Sequence, residues 1–268
     1  MARGSDEHPT KRAHPKARSR QLELSFPPRW GGARAGAGRK RGSRGMVWHR
    51  ARPQHAAAEP VHVTLRARLA PLRSQHVFPT VRLALLRAAR RDPARFRLLQ
   101  FSVQRDHLHL VVEAQDKRAL SRGLQGLAIR VARYVNDLLG RRGALWADRW
   151  HGRTLKTPRE VRNALAYVLG NFKKHAAWRS ESSSKRPRVA TWGIDPYSSG
   201  EWFDGWRGWR PWSGTPPPFA QAPAWKRRDV GAIDAEATER ITVEPTTWLG
   251  AVGWRRRGLI RLGECPGR

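Results

Sequence analysis

The sequence is short of three things, and each shortage excludes a class of protein. Cysteine occurs once, as Cys265, so no internal disulfide can form and no cysteine-based metal cluster is available. No apolar run approaches the roughly 20 residues of a membrane-spanning helix, and no basic amphipathic helix dominates, so no membrane partner is expected. The start lacks the apolar stretch of a secretory signal, which points to a cytoplasmic protein. Acidic residues are scarce too: 21 Asp plus Glu stand against 53 Lys plus Arg in 268 residues, a formal charge of +32. Such an excess repels itself in the compact state and is best offset by a polyanion. Nucleic acid is the first candidate, because neutralised phosphates release their counterions.

What is present falls into three parts. Residues 1–57 are rich in Arg, Lys, Gly, Ala and Pro. They cannot bury enough apolar area to offset their ordering entropy, so a disordered basic arm is expected. Its glycines follow no strand and open no helix, so they form no dinucleotide fingerprint. Residues 58–178 read as a folded domain. Residues 179–268 begin with a Ser-, Lys- and Arg-rich linker and continue into an irregular appendage carrying Trp192, Trp202, Trp206, Trp209 and Trp212, with prolines at 216 to 218. Tryptophans in so short a module more often build a small core than stack on bases.

Within the domain, Val61, Val63 and Leu65 alternate with His62, Thr64 and Arg66, the mark of a half-buried strand. Val77 to about Arg91 suits a helix closed by Asp92-Pro93. Phe96–Val103 and Asp106–Glu113 read as an antiparallel hairpin. Leu120, Leu124, Leu127, Ala128, Val131, Val135 and Leu138 recur at helical spacing, with Gly140 as the C-terminal cap. His151 to Lys156 reads as a fourth strand. Thr157-Pro-Arg-Glu160 then supplies an N-cap, a proline at the first helical position and a glutamate three residues after the cap. A helix to about His175 follows. The first six elements match an α+β, ferredoxin-like antiparallel sheet with helices on one face. The other face is expected to stay open for a ligand.

The histidine strand carries the chemistry. Side chains alternate along a strand, so His107 and His109 share one face while Leu108, Leu110 and Val112 share the other. Two imidazoles so placed make a two-nitrogen grip for a metal. On the last helix, Tyr167 and Asn171 lie one turn apart at the edge of the apolar stripe Val161, Leu165, Val168 and Phe172. A phenol with a pKa near 10 is a poor nucleophile at neutral pH. Its attack on a phosphodiester needs a cation to draw charge off the phosphate and steady the departing oxygen. His107, His109 and the Asn171 oxygen offer mixed nitrogen and oxygen ligands for that cation, a set that fits Mg²⁺ or Mn²⁺. An isolated His-x-His is more often decoration than a metal site, and only the joint pattern is specific.

His107-Leu108-His109 resembles the HUH motif, and Tyr167-Val-Leu-Gly-Asn171 resembles the tyrosine helix of single-tyrosine HUH transposases. The chain resembles the REP-associated tyrosine transposases, also called IS200-like transposases, in the opening strand His62–Arg66 and in Leu145-Trp146 with Arg149 before the last helix. The resemblance spans residues 58–176 or so, and departs where those relatives often have proline and this chain has Phe172. It implies the HUH endonuclease fold. It also implies a transposase that cleaves and rejoins single-stranded DNA, with hairpin or palindromic DNA as the recognition element. Tyr167 would form a 5′-phosphotyrosine and release a 3′-hydroxyl, with His107, His109 and Asn171 on the metal and no ATP required. His62, Arg66, Arg149, Arg153 and Lys174 are the expected DNA contacts.

The other two tyrosines are weaker nucleophile candidates: Tyr134 has Leu138 rather than an amide one turn on, and Tyr197 sits in the tail. His151 and His175 read as exposed end residues, and Glu113 as a strand terminus or a support for the site. Two alternatives to a transposase remain, a noncatalytic DNA-binding regulator and a replication-initiator or relaxase-type nickase. One chain and a pair of chains are equally compatible with the sequence.

Overall fold

Alternation in Val61-His-Val-Thr-Leu-Arg66 forms strand β1 (Val61–Arg66), which buries Val61, Val63 and Leu65. The computed structural model describes residues 54–68, 72–181, 193–208 and 240–264, with side chains described only to Lys173 in the helix ending at Glu181. The basic arm up to residue 53, Trp192, Trp209, Trp212, the prolines at 216 to 218, Cys265, and the side chains of Lys174 and His175 lie outside the described residues.

The elements then run α1 (Phe78–Ala89), β2 (Phe96–Val103), β3 (His107–Ala114), α2 (Lys117–Leu138), β4 (His151–Thr154) and α3 (Pro158–Glu181). The sheet order is β2-β3-β1-β4 with every neighbouring pair antiparallel. That order follows from the connections: a hairpin joins β2 to β3, and each helical crossover skips one strand. The α+β ferredoxin-like expectation holds.

One face of the sheet carries α1 and α2. Val63, Leu65, Leu98, Phe101, Leu108, Leu110 and Val112 point into it and meet Phe78, Val81, Leu85, Leu124, Leu127, Val131 and Val135. Each such side chain contributes on the order of 1.5–3 kcal/mol by leaving water. Asp116 caps α2 by accepting from the Ala119 amide at 2.7 Å, and Gly140 takes the left-handed turn just past the helix at φ 57°. Leu138, expected in the buried stripe, is 37% exposed. A helix of 22 residues is about 33 Å long, whereas a strand of 8 residues spans about 27 Å. The helix is longer than the strand, and its core contacts end at Val135, one turn before Leu138.

The opposite face is not open along its whole length. Leu99 and Val111 rise from it into a second core with Val161, Leu165, Val168 and Leu169 of α3. Leu99 faces this side by alternation from Leu98, and a bulge in β2 between Leu98 and Gln100 resets the phase so that Gln100 pairs with Val111 and Phe101 with Leu110. The apolar stripe of α3 needs a partner, and these side chains supply it; the ligand face is confined to what α3 leaves uncovered. Helix α3 opens as its sequence indicates: the Glu160 amide donates to Thr157 Oγ1, and the Thr157 amide donates back to Glu160 Oε2, both at 3.2 Å. It runs beyond His175 to Glu181, and β4 stops at Thr154 rather than Lys156.

The described C-terminal segments do not stand apart. Phe203, Trp206, Leu249, Trp254 and Ile260 complete the second core, and Trp202 joins the first. Glu113, buried in β3, accepts hydrogen bonds from the amides and hydroxyls of Thr246 and Thr247. This anchors the short helix α4 (Trp248–Ala251) to the sheet. Residues 258–264 then run along α3. Arg162 donates to both carboxylate oxygens of Glu264 and to the Gly258 carbonyl, while Lys173 donates to the Leu262 carbonyl. Arg162, Ala166, Leu169 and Lys173 are spaced by one turn each, so a single stripe of α3 meets this strap.

Candidate functional site

Register builds the site before any ligand is considered. In the β1–β3 ladder Thr64 pairs with His109 and Arg66 with His107, and in the β1–β4 ladder His62 pairs with Arg153. Paired residues share a face, so His62, Thr64, Arg66, His107, His109 and Arg153 all project toward the α3 side. The hydroxyl of Thr64 lies 3.2 Å from His109 Nδ1, and His62 Nε2 lies 3.4 Å from the same atom.

The tyrosine arrives from α3. Its ring stands edge-on to His109 with centroids 5.0 Å apart, and edge-on to His62 at 5.6 Å. His107 stands edge-on to His109 at 4.6 Å. Three imidazoles and one phenol thus form a single cluster. Asn171 is buried one turn beyond Tyr167 on α3.

Electrostatics separates the roles. Burial, then the nearby Arg153 charge, pulls His62 down to a pKa of about 4, so at neutral pH it is an uncharged imidazole. Burial pushes the Tyr167 phenol above its ordinary value. Tyr134 is the reverse case: Arg87 donates to its hydroxyl at 2.8 Å and lowers its pKa. Acidity alone would favour Tyr134, but it lies on α2, on the other side of the sheet from the histidines. Tyr197 packs on Phe78 in the first core and under the Arg73 guanidinium. Of the three tyrosines, Tyr167 is the one whose ring meets the histidines.

The hydrogen bonds of the histidines bear on whether they could hold a divalent cation. Asp106 Oδ1 lies 2.7 Å from His107 Nδ1, the carboxylate–imidazole pairing that turns the opposite nitrogen's lone pair outward for a metal. Thr64 is placed to do the same for His109. Among the described residues no group of three or more His, Cys, Asp or Glu is placed to hold a metal. A metal site here would have to rest on two imidazoles and the Asn171 amide, a mixed set whose chemistry suits a hard or borderline cation completed by water and phosphate oxygens.

The expected DNA contacts divide. His62 belongs to the cluster itself. Arg66 is 75% exposed at its side chain, 3.8 Å from Asp106, and Arg153 is 71% exposed and bonded to Glu160; both rim the site. Arg149 is exposed in the turn before β4. Leu145 and Trp146 act structurally, Leu145 in the core and the Trp146 indole donating to the Ala128 carbonyl at 2.9 Å. His151 is exposed, as expected. Glu113 serves the C-terminal segment, not the histidines. Thr64 and Asp106 were missed by sequence reasoning. For Thr64 the signal was available, since it alternates in phase with His62 on β1.

No protein-family model matches the chain, and no curated protein matches it. Among solved structures, it is similar to a REP-associated tyrosine transposase bound to a REP hairpin. That likeness has a TM-score of 0.38 and 14% identity, over 54% of this chain and 96% of the other. A likeness of that degree carries no part of the functional reading. Among the described residues no helix is long and apolar enough to cross a membrane.

Proposed function

We propose that the protein is a transposase-like endonuclease and strand transferase acting on single-stranded, hairpin-bearing DNA through a 5′-phosphotyrosine. The observation that carries this is the contact between Tyr167 and His109, in a cluster whose other members are neutral or metal-competent donors. The Tyr167 oxygen attacks the phosphorus and gives up its proton to solvent, the bond from phosphorus to the 3′ oxygen breaks, and that oxygen leaves as a 3′-hydroxyl after taking up a proton from solvent. A 3′-hydroxyl attacking the phosphotyrosine reverses the sequence, so strands rejoin without ATP.

Because burial raises the phenol, its proton is not lost spontaneously at neutral pH. His107, His109 and Asn171 would hold Mg²⁺ or Mn²⁺, which supplies the charge that stabilises the pentavalent phosphate. Asp106 and Thr64 orient the two imidazoles. His62 fills the space beside Tyr167 and keeps the phenol against His109. Arg66 and Arg153 at the rim would take flanking phosphates.

The test is a covalent-adduct assay. Purified full-length protein is mixed with end-labelled hairpin DNA and Mg²⁺ or Mn²⁺, then run on a denaturing gel. A retarded protein–DNA band that disappears in Tyr167→Phe supports the reading. A band that survives moves the nucleophile to another residue. Binding with no band, across several hairpins and both metals, assigns the protein to noncatalytic DNA binding.

A further inference from the structure

The strap along α3 builds a second cationic feature. Arg162, Arg207, Arg257 and Arg261 line a cavity of about 910 Å³ whose wall contains one carboxylate, Glu264. That carboxylate is already committed, since Arg162 donates to both of its oxygens at 2.7 and 2.9 Å. The pairing holds the Glu264 carboxyl below the usual range. Arg207, Arg257 and Arg261 are exposed and form no ion pair among the described residues.

Backbone hydrogen bonds, rather than chance rotamers, bring these arginines together. The Arg207 amide donates to the Ile260 carbonyl at 2.8 Å, and the Ile260 amide donates to the Gly205 carbonyl at 3.0 Å. Ile260 is buried in the second core, which pins its neighbour Arg261. Gly258 takes φ 84°, a turn that glycine makes without strain, and so folds Arg257 back toward the same cavity. Three like charges held around one space repel each other, and that arrangement is relieved by an anion. The guanidinium fork matches phosphate oxygens in pairs, and the cavity is of ligand-binding size.

We propose that this cavity is a second nucleic-acid contact, in which Arg207, Arg257 and Arg261 hold backbone phosphates of a strand. It is separate from the tyrosine site. Arg162 and Tyr167 are five residues apart on α3, about 7.5 Å along the axis and about 140° around it. One phosphate cannot touch both. The contact does not depend on strand cleavage.

The test uses the full chain with Tyr167→Phe, so that a failed cleavage reaction and a failed contact are separate results. Affinity for a labelled single strand is measured against salt for three proteins. These are the Tyr167→Phe chain, the same chain with Arg207→Gln, Arg257→Gln and Arg261→Gln, and a charge-matched control with Arg91→Gln, Arg118→Gln and Arg122→Gln, all exposed on α1 and α2 or beside them. Loss of three phosphate contacts makes the log–log salt slope shallower by about 2, at about 0.7 per single-strand phosphate. The control should change it by clearly less. Equal changes in the two triple variants would overturn the proposal, because net charge alone would then account for binding. Chemical modification of arginine gives a second measure: the strand should protect Arg257 and Arg261. Protection by tripolyphosphate but not by DNA would assign the cavity to a small polyphosphate and overturn the proposal as well.

Discussion

The Tyr167 phenol stands edge-on to the His109 imidazole, centroids 5.0 Å apart and planes at 76°. One ring comes from a central strand and the other from the helix that packs across it. Their meeting depends on Leu99 and Val111 drawing the apolar stripe of α3 onto the sheet. A change that loosened that packing would separate the two rings without touching either.

Asp106 holds His107 by its Nδ1 at 2.7 Å, so Asp106→Ala should weaken the response to metal. A carboxylate in this position typically accounts for about 10–100-fold in metal affinity. The metal concentration giving half-maximal covalent adduct should rise by that factor, while hairpin binding without metal stays nearly constant. An unchanged midpoint would show that the carboxylate does not orient the imidazole.

Trp254 is 2% exposed and stacks on Phe203 with centroids 5.5 Å apart. If the C-terminal segment shares the core of the domain, Trp254→Ala should lower stability by about 3–5 kcal/mol. Urea denaturation read by circular dichroism of the helices measures this. A shift below about 1 kcal/mol would make the segment a passenger, since surface changes away from packing cost that little.

The Arg162–Glu264 pair gives the strap a pH dependence. Hydrogen bonding from Arg162 lowers the folded pKa of Glu264, so the unfolded chain takes up this proton at a higher pH than the folded one. The stabilisation is therefore complete above the usual carboxylate range and is lost as pH falls through the depressed folded value. Glu264→Gln, which cannot ionise, should flatten that part of the profile. Amide-exchange protection factors of residues 258–264, corrected for the intrinsic pH dependence of exchange, should fall in acid for the wild type and vary less with pH in the variant. Parallel profiles would remove the pair from the linkage.

Much of the scaffold was legible because short-range rules govern it. The two-residue period of β3 sorted His107 and His109 from Leu108, Leu110 and Val112, and the box at Thr157–Glu160 marked the start of α3 to the residue. The site was legible only in part. Tyr167 and Asn171 could be placed on one helix edge, but Thr64 beside His109 depends on which residue of β1 faces which residue of β3. A one-residue slip would turn every one of those side chains away. The C-terminal segment was read as irregular because it lacks helical or strand periodicity. Its order comes from long-range contacts such as Glu113 with Thr247 and Arg162 with Glu264.

By itself, the order of residues determined which side chains share a face, where α3 begins, and that the charge calls for a polyanion. These are properties of period, local hydrogen bonding and composition, which neighbouring residues settle among themselves. Tertiary structure decided that α3 lies across the histidine face, that His62 joins the two motif histidines, and that four arginines line one cavity. Each of those needs burial of apolar surface between segments distant in the chain, and no local pattern encodes which segments will meet.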